Sequence, residues 1–182
     1  MTKSHILAIA GSMGSGKTTA ANLVASAIGW RRLSFCGYVI WLAQKKGILN
    51  PSRRALQDVG QEAVETDVRE FVRGFLESNS FVTGEDVILD GLRHEQVLKE
   101  VRHQTEATWV GLVFLSASSK VRRGRLDSRE SDEFHHAECH PVEAQFEKLR
   151  RLSDLEIDTS KFDEKQVAEQ IQKWLGEIGA MI

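Results

Sequence analysis

One stretch limits what this chain can fold into more than any other: Gly11 to Thr18 read G-S-M-G-S-G-K-T, a full match to the phosphate-loop pattern G-x-x-x-x-G-K-[ST]. The flanks agree with it. Ile6 to Ala10 is an apolar run of strand length, and from Lys17 to Ile28 the residues Ala20, Val24, Ala27 and Ile28 recur at helical spacing. A strand that enters a helix through glycines lets the backbone turn so that several N–H groups face one anion. The unpaired N–H groups of the first helical turn add the positive end of the helix dipole. The candidate nucleotide-binding set is therefore Gly11, Ser12, Met13, Gly14, Ser15, Gly16, Lys17, Thr18 and Thr19. Lys17 is expected against the β and γ phosphates, and the Thr18 hydroxyl against the accompanying Mg²⁺.

Composition narrows the class. At 182 residues the chain reads as a single domain over 1–182, with 41% hydrophobic and 27% charged residues, ordinary for a globular protein. With 24 Lys plus Arg against 26 Asp plus Glu, overall charge predicts neither a nucleic-acid nor a membrane partner. No apolar run approaches the ~20 residues of a membrane span, and Met1 to His5 lacks the shape of a signal peptide, so a cytoplasmic location is expected. Cys36 and Cys139 are far apart and too few for a disulfide framework; reduced thiols are expected.

Along the chain, Trp30 to Ser34 reads as a short second strand, and Gly37 to Lys46 holds the compact apolar run Val39 to Ala43, either a buried helix or the wall of a pocket. Ser52 can cap a following helix with Leu56, Val59 and Ala63 on one face. The next helix carries Val68, Phe71, Val72, Phe75 and Leu76 at i, i+3, i+4, i+7 and i+8. This helical insertion, about residues 35–80, is where a second substrate would be enclosed. Asp86 to Asp90 reads D-V-I-L-D before Gly91, an apolar strand ending in a carboxylate. In an α/β fold ligands gather at strand ends, so Asp90 is the candidate Mg²⁺ carboxylate, acting directly or through water. Arg93 to Thr105 is expected helical, Ala107 to Leu115 a buried fourth strand, Pro141 to Arg151 a helix and Leu155 to Ile157 a fifth strand. A last amphipathic helix uses Val167, Ile171, Trp174, Leu175 and Ile178. Right-handed crossovers between alternating strands and helices give a parallel sheet with helices on both faces, a three-layer α/β/α fold. Four arginines, Arg122, Arg123, Arg125 and Arg129, crowd after the fourth strand. Arg125 and Arg129 stand at i and i+4, so they form either a clamp on phosphate or a solvated face.

At these residues the chain resembles the nucleoside monophosphate kinase-like group of P-loop kinases. V-I-L-D-G-L-R at Val87 to Arg93 is similar to the adenylate kinase segment in which an Asp serves Mg²⁺ and a following Arg grips the acceptor phosphate. The resemblance gives those roles to Asp90 and Arg93. Arg125 to Arg129, R-L-x-x-x-R, is similar to the lid entrance of the same kinases, where the first Arg packs on the donor adenine and the second binds phosphates. Arg53 to Gly60, with Ser34-Phe35 upstream, resembles phage-type deoxynucleoside monophosphate kinases, and Ser153 to Asp158 resembles dephospho-coenzyme A kinase. The resemblance implies ATP and Mg²⁺ as cofactors, catalytic roles for Lys17, Asp90, Arg93, Arg125 and Arg129, and a five-stranded parallel sheet of order 2-3-1-4-5. It also implies a lid at about 129–141, and small-molecule nucleotide substrates for a monomer or homodimer. Leu92 stands where adenylate kinases carry proline.

Rival classes lack their marks. No Asn-Lys-x-Asp is present to read guanine, and Asp90 is followed by Gly91 rather than by the Glu that a motor or transport ATPase uses to activate water. A nucleotide-binding regulatory protein without transfer activity is the remaining alternative class. An alcohol acceptor such as dephospho-coenzyme A calls for a carboxylate base near its hydroxyl. The stretch from Leu33 offers no acid before Asp58, only Arg53 and Arg54, so the acceptor is expected to be a phosphate. Asp90, Glu62 or Asp67 would be the base if that expectation failed. His135, His136, Glu138, Cys139 and His140 crowd together, but without a second well-spaced ligand pair no structural metal is expected there.

Overall fold

The computed structural model describes residues 4–107, 109–125 and 141–180. Five parallel strands are ordered β2-β3-β1-β4-β5, as implied: β1 His5–Ala10, β2 Arg31–Ser34, β3 Val87–Leu92, β4 Trp109–Ser116 and β5 Leu155–Asp158. Eight described helices surround them: α1 Lys17–Ile28, α2 Phe35–Lys45, α3 Arg53–Thr66, α4 Val68–Ser78, α5 Glu95–Thr105, α6 Ser119–Arg125, α7 Pro141–Leu152 and α8 Glu164–Glu177.

β1 lies at the centre because both its faces are apolar. Ile6, Ala8 and Ala10 pack with Phe35, Tyr38, Phe71, Phe75, Leu98 and Phe146 on the side of α2, α4, α5 and α7. Leu7 and Ile9 pack with Ala20, Ala21, Val24, Ile171 and Leu175 on the side of α1 and α8. Each fully buried Leu or Ile there contributes about 1.5–3 kcal/mol over an exposed one. Small residues on α1 let that helix lie close to the sheet, which brings its N-terminus to the sheet's carboxyl edge.

Caps set the boundaries of the insertion. Ser34 Oγ accepts from Gly37 N at 3.2 Å, Ser52 Oγ from Ala55 N at 3.2 Å and Asp67 Oδ1 from Glu70 N at 3.0 Å. The helix from Phe35 is pocket wall on one side only: Val39 lines a cavity while Trp41 is 41% exposed. Tyr38 packs against α4 beneath Gly74, where a Cβ would overlap its hydroxyl. Burial, and then the Glu70 and Glu77 carboxylates, push the Tyr38 hydroxyl above its usual range.

Element boundaries differ from the sequence expectation in places. β3 runs from Val87 to Leu92, because Asp86 is taken by β1: it accepts from His5 N at 2.6 Å. The register Ile9↔Asp90, Ala10↔Leu92 leaves Gly91 as an extra residue, a β-bulge that its φ of 89° permits. Arg93 consequently precedes α5 rather than opening it, and Ile178 lies past the end of α8, 43% exposed instead of on the apolar face. Among the described residues no helix is long and apolar enough to cross a membrane.

Candidate active site

The phosphate loop links β1 to α1 over residues 11–16, and its shape is enforced from behind. Gly11, Gly14 and Gly16 have φ of 145°, 76° and 87°. A Cβ on Gly11 would collide with the Leu115 carbonyl and lie 2.8 Å from Ser15 Oγ; one on Gly14 would lie 2.9 Å from the Arg122 carbonyl. A Gly11→Ala chain is thus expected to lose ~2–3 kcal/mol of stability by overpacking a strained position, measured by urea unfolding. An unshifted midpoint would mean that the loop relaxes.

Arg122, Arg125 and Thr159 brace this loop. Arg122 is buried; its Nη1 donates to the Met13 carbonyl at 3.3 Å and its Nε to the Ala117 carbonyl at 3.2 Å. Arg125 donates from Nη1 to Gly14 O at 3.3 Å and to Thr159 Oγ1 at 2.8 Å, and from Nη2 to Thr159 O at 2.6 Å. The buried Thr159 hydroxyl donates to Ser15 O at 3.1 Å. Asp158 fixes the turn by accepting from Ser160 N at 3.0 Å; that bond, with the Ser160 hydroxyl and Lys161, holds its carboxyl below the usual range. The arginine run is therefore neither uniformly a clamp nor uniformly a solvated face. Arg122 is structural, Arg123 is exposed and Arg125 faces a cavity of about 320 Å³ with Gly16, Thr19, Phe162 and Val167. Arg129 and the histidine-cysteine cluster from His135 to His140 lie outside the described residues. We expect Arg122→Ala to cost about 2–4 kcal/mol through lost buried, charge-assisted hydrogen bonds, and Arg125→Ala about 1 kcal/mol or less. Chemical denaturation of the two variants checks the order, and equal losses would contradict it.

The larger cavity, about 420 Å³, opens between the loop, the carboxyl end of β3 and helices α2 and α3. Lys17, Thr18 and Asp90 meet there with Arg53, Gln57, Gln61, Arg93 and His94, beside walls from Phe35, Val39, Leu56, Phe71 and Val97. The bulge at Gly91 puts Asp90 and Arg93 at the same strand end. Lys17 Nζ donates to Ser12 O at 2.8 Å, curled over the loop. Asp90 is 3% exposed; its Oδ2 accepts from Arg32 Nη1 at 2.6 Å, and its buried Oδ1 has no hydrogen-bond partner among the described residues. Arg93 lies over the Phe146 ring, Cζ 5.9 Å from its centroid, and His94 Nε2 hydrogen-bonds Gln61 Oε1 at 2.8 Å.

Neither of the other acids considered for a base lines this cavity. Glu62 is 63% exposed and accepts from Lys46, and Asp67 is the cap of α4. Among the described residues Asp90 is its single lining carboxylate.

The residues present fit a nucleotide with Mg²⁺. Gly14, Gly16 and Thr18 line one cavity with Asp90, whose buried Oδ1 has no hydrogen-bond partner among the described residues. Among the described residues no group of three or more His, Cys, Asp or Glu is placed to hold a metal. One carboxylate and one hydroxyl suit an ion that keeps waters and takes its remaining oxygens from phosphates, as Mg²⁺ does.

Sequence reasoning placed Lys17, Thr18, Asp90 and Arg93 where they converge, but missed Arg32 and Thr159. Arg32 reaches Asp90 only through the β2–β3 register, and Thr159 touches the loop only through the order of β4 and β5. Neither carries a local signal.

A family model described as an AAA domain matches residues 7–145. Among solved structures, shikimate kinase from Aquifex aeolicus vf5 is similar with TM-score 0.58 at 17% identity, covering 96% of this chain and 98% of that one. A sugar kinase from Janibacter sp. HTCC2649 gives 0.57 at 17%, covering 96% and 95%. Shikimate kinase from Acinetobacter baumannii, in complex with shikimate, gives 0.57 at 14%, covering 94% and 93%. At such identities the likeness establishes the P-loop kinase fold. No curated protein sequence matches this chain.

Proposed function

The chain belongs to the AAA domain family, and from that premise we propose that it is an ATP- and Mg²⁺-dependent kinase that transfers the γ-phosphoryl group to a (deoxy)nucleoside monophosphate. The observation that carries this reading is the composition of the larger cavity: among the described residues it brings Lys17, Arg53 and Arg93 together with a single carboxylate, against an apolar wall. Two phosphorylated substrates bring several negative charges into one space, and cations are what such a space needs. A phosphate monoester has a second pKa of about 6, so at neutral pH it attacks without losing a proton and needs no base.

In this reading the loop N–H groups and Lys17 hold the β and γ phosphates of the donor. Arg93, with Arg53, orients the acceptor phosphate in line with the γ-phosphorus. One P–O bond to the leaving ADP breaks as one P–O bond to the acceptor oxygen forms. Phe35, Val39, Leu56 and Phe71 offer apolar surface to a base, and the Gln57 and Gln61 amides offer polar contacts beside it. Arg125 faces the donor side near Phe162. Thr18 and Asp90 would hold Mg²⁺, which when bound neutralises charge on the phosphoryl oxygens.

A second reading has one observation in its favour. Asp90 lines the cavity and its Oδ1 has no partner among the described residues, which leaves that carboxylate available as a base for an alcohol, and the similar structures include enzymes titled sugar kinase and shikimate kinase. Thermal unfolding with a panel of ligands separates the two, because a ligand that binds only the native state raises its Tm. The proposed function expects ADP with Mg²⁺ and at least one nucleoside monophosphate each to raise the Tm, with nucleosides, sugars and shikimate inert. A shift with an alcohol and with no monophosphate would replace it by the second reading.

A further inference from the structure

Asp90 carries a pairing that phosphoryl transfer does not require. Arg32 stands opposite Ile88 on the β2–β3 ladder, two residues before Ser34, which is opposite Asp90. It therefore reaches Asp90 diagonally from the same face of the sheet. The carboxylate side chain is 5% exposed and the guanidinium 31%. Asp90 lines the cavity and Arg32 does not, so the cation approaches from behind the site. One carboxylate oxygen is taken at 2.6 Å; the other is buried without a partner among the described residues.

Two consequences follow from the charges. A buried carboxylate needs a counter-charge, which Arg32 supplies to the ligand-free chain. The same guanidinium leaves little net negative charge for a dication. A neutralised carboxylate and a hydroxyl make a poor site for a free metal ion, whereas the oxygens of a bound di- or triphosphate restore the missing negative charge. We propose that Arg32 is a positioning residue that makes divalent-metal binding at Asp90 conditional on nucleotide phosphate. The metal then enters with its nucleotide and not ahead of it. This inference rests on the reading of Asp90 as the metal carboxylate.

The test uses Mn²⁺ as the probe, with free ion followed by electron paramagnetic resonance at low ionic strength, with and without ADP. Without nucleotide, wild type and Arg32→Lys are expected to bind Mn²⁺ weakly. Arg32→Gln is expected to bind it at least about tenfold tighter, since removing one charge close to a dication shifts binding by that order or more. The double variant Arg32→Gln/Asp90→Asn is expected to lose the gain. Arg32→Gln binding like wild type, or a gain that survives in the double variant, would overturn the proposal. If Arg32→Gln melts too early to be titrated, nucleotide-free Mn²⁺ is expected to raise its Tm but not that of the double variant, and the absence of that rescue is equally contrary. With ADP present, Asp90→Asn separates the two levels. Undiminished Mn²⁺–ADP binding by that variant would remove the metal role of Asp90 itself, whereas weakened binding alongside a wild-type-like Arg32→Gln would remove only the inference about Arg32.

Discussion

A Lys17→Ala chain is expected to fold nearly as wild type and to lose phosphoryl transfer by at least about 10³-fold. In the ligand-free chain Lys17 donates to the Ser12 carbonyl at 2.8 Å and sits half-buried at the cavity edge. Losing such a bond costs about 1 kcal/mol. During transfer the same ammonium would face charge developing on the oxygens between the β and γ phosphorus atoms. There it works in a water-poor site, where removing one preorganised donor typically costs ~3–4 kcal/mol of transition-state stabilisation. The loop itself is built by Gly11, Gly14, Arg122 and Thr159. Single-turnover transfer and urea unfolding on one preparation measure both halves of this expectation. Turnover within tenfold of wild type in a folded chain would mean that the loop binds phosphate without catalysing its transfer.

The second large effect is expected at Asp90. Asp90→Asn preserves shape and the Arg32 contact in part, and removes the charge. Turnover is expected to fall by about 10²–10³-fold, with a higher Mg²⁺ concentration needed for half-maximal rate. Stability is expected to change by about 1 kcal/mol or less, because Arg32 is 31% exposed and can turn to water while the amide replaces a buried charge with a neutral group. An unchanged Mg²⁺ titration would take Asp90 out of the metal site and leave it as a structural partner of Arg32.

How much of this was legible in the sequence depends on how far each feature reaches. The loop, α1 and the cap at Ser52 are local, since the hydroxyl and the N–H it accepts from lie three residues apart. The apolar faces of α4 and β1 were legible for the same reason: their periodicity is their packing. The strand order came with a family resemblance and not from pattern, because pairing between β1 and β4 joins residues a hundred positions apart. What reading the residues could not reach was register. The bulge at Gly91 depends on how β3 slides against β1, and the Arg32–Asp90 pair on how β2 slides against β3. The arginine run left two alternatives open for a related reason. Spacing shows which residues share a helix face, but not that α6 lies against the loop, which sends Arg122 inward to the Met13 carbonyl while Arg123 stays in water.

The central claim is transfer to a phosphorylated acceptor, and the most direct measurement is a product analysis. The purified chain is incubated with ATP and Mg²⁺ against separate ribo- and deoxynucleoside monophosphates, nucleosides, dephospho-coenzyme A, shikimate and sugars, and the products are identified by mass spectrometry. The expected products are ADP together with a nucleoside diphosphate from at least one monophosphate, Lys17-dependent, with every alcohol unreacted. A phosphorylated alcohol with all monophosphates unreacted would contradict it.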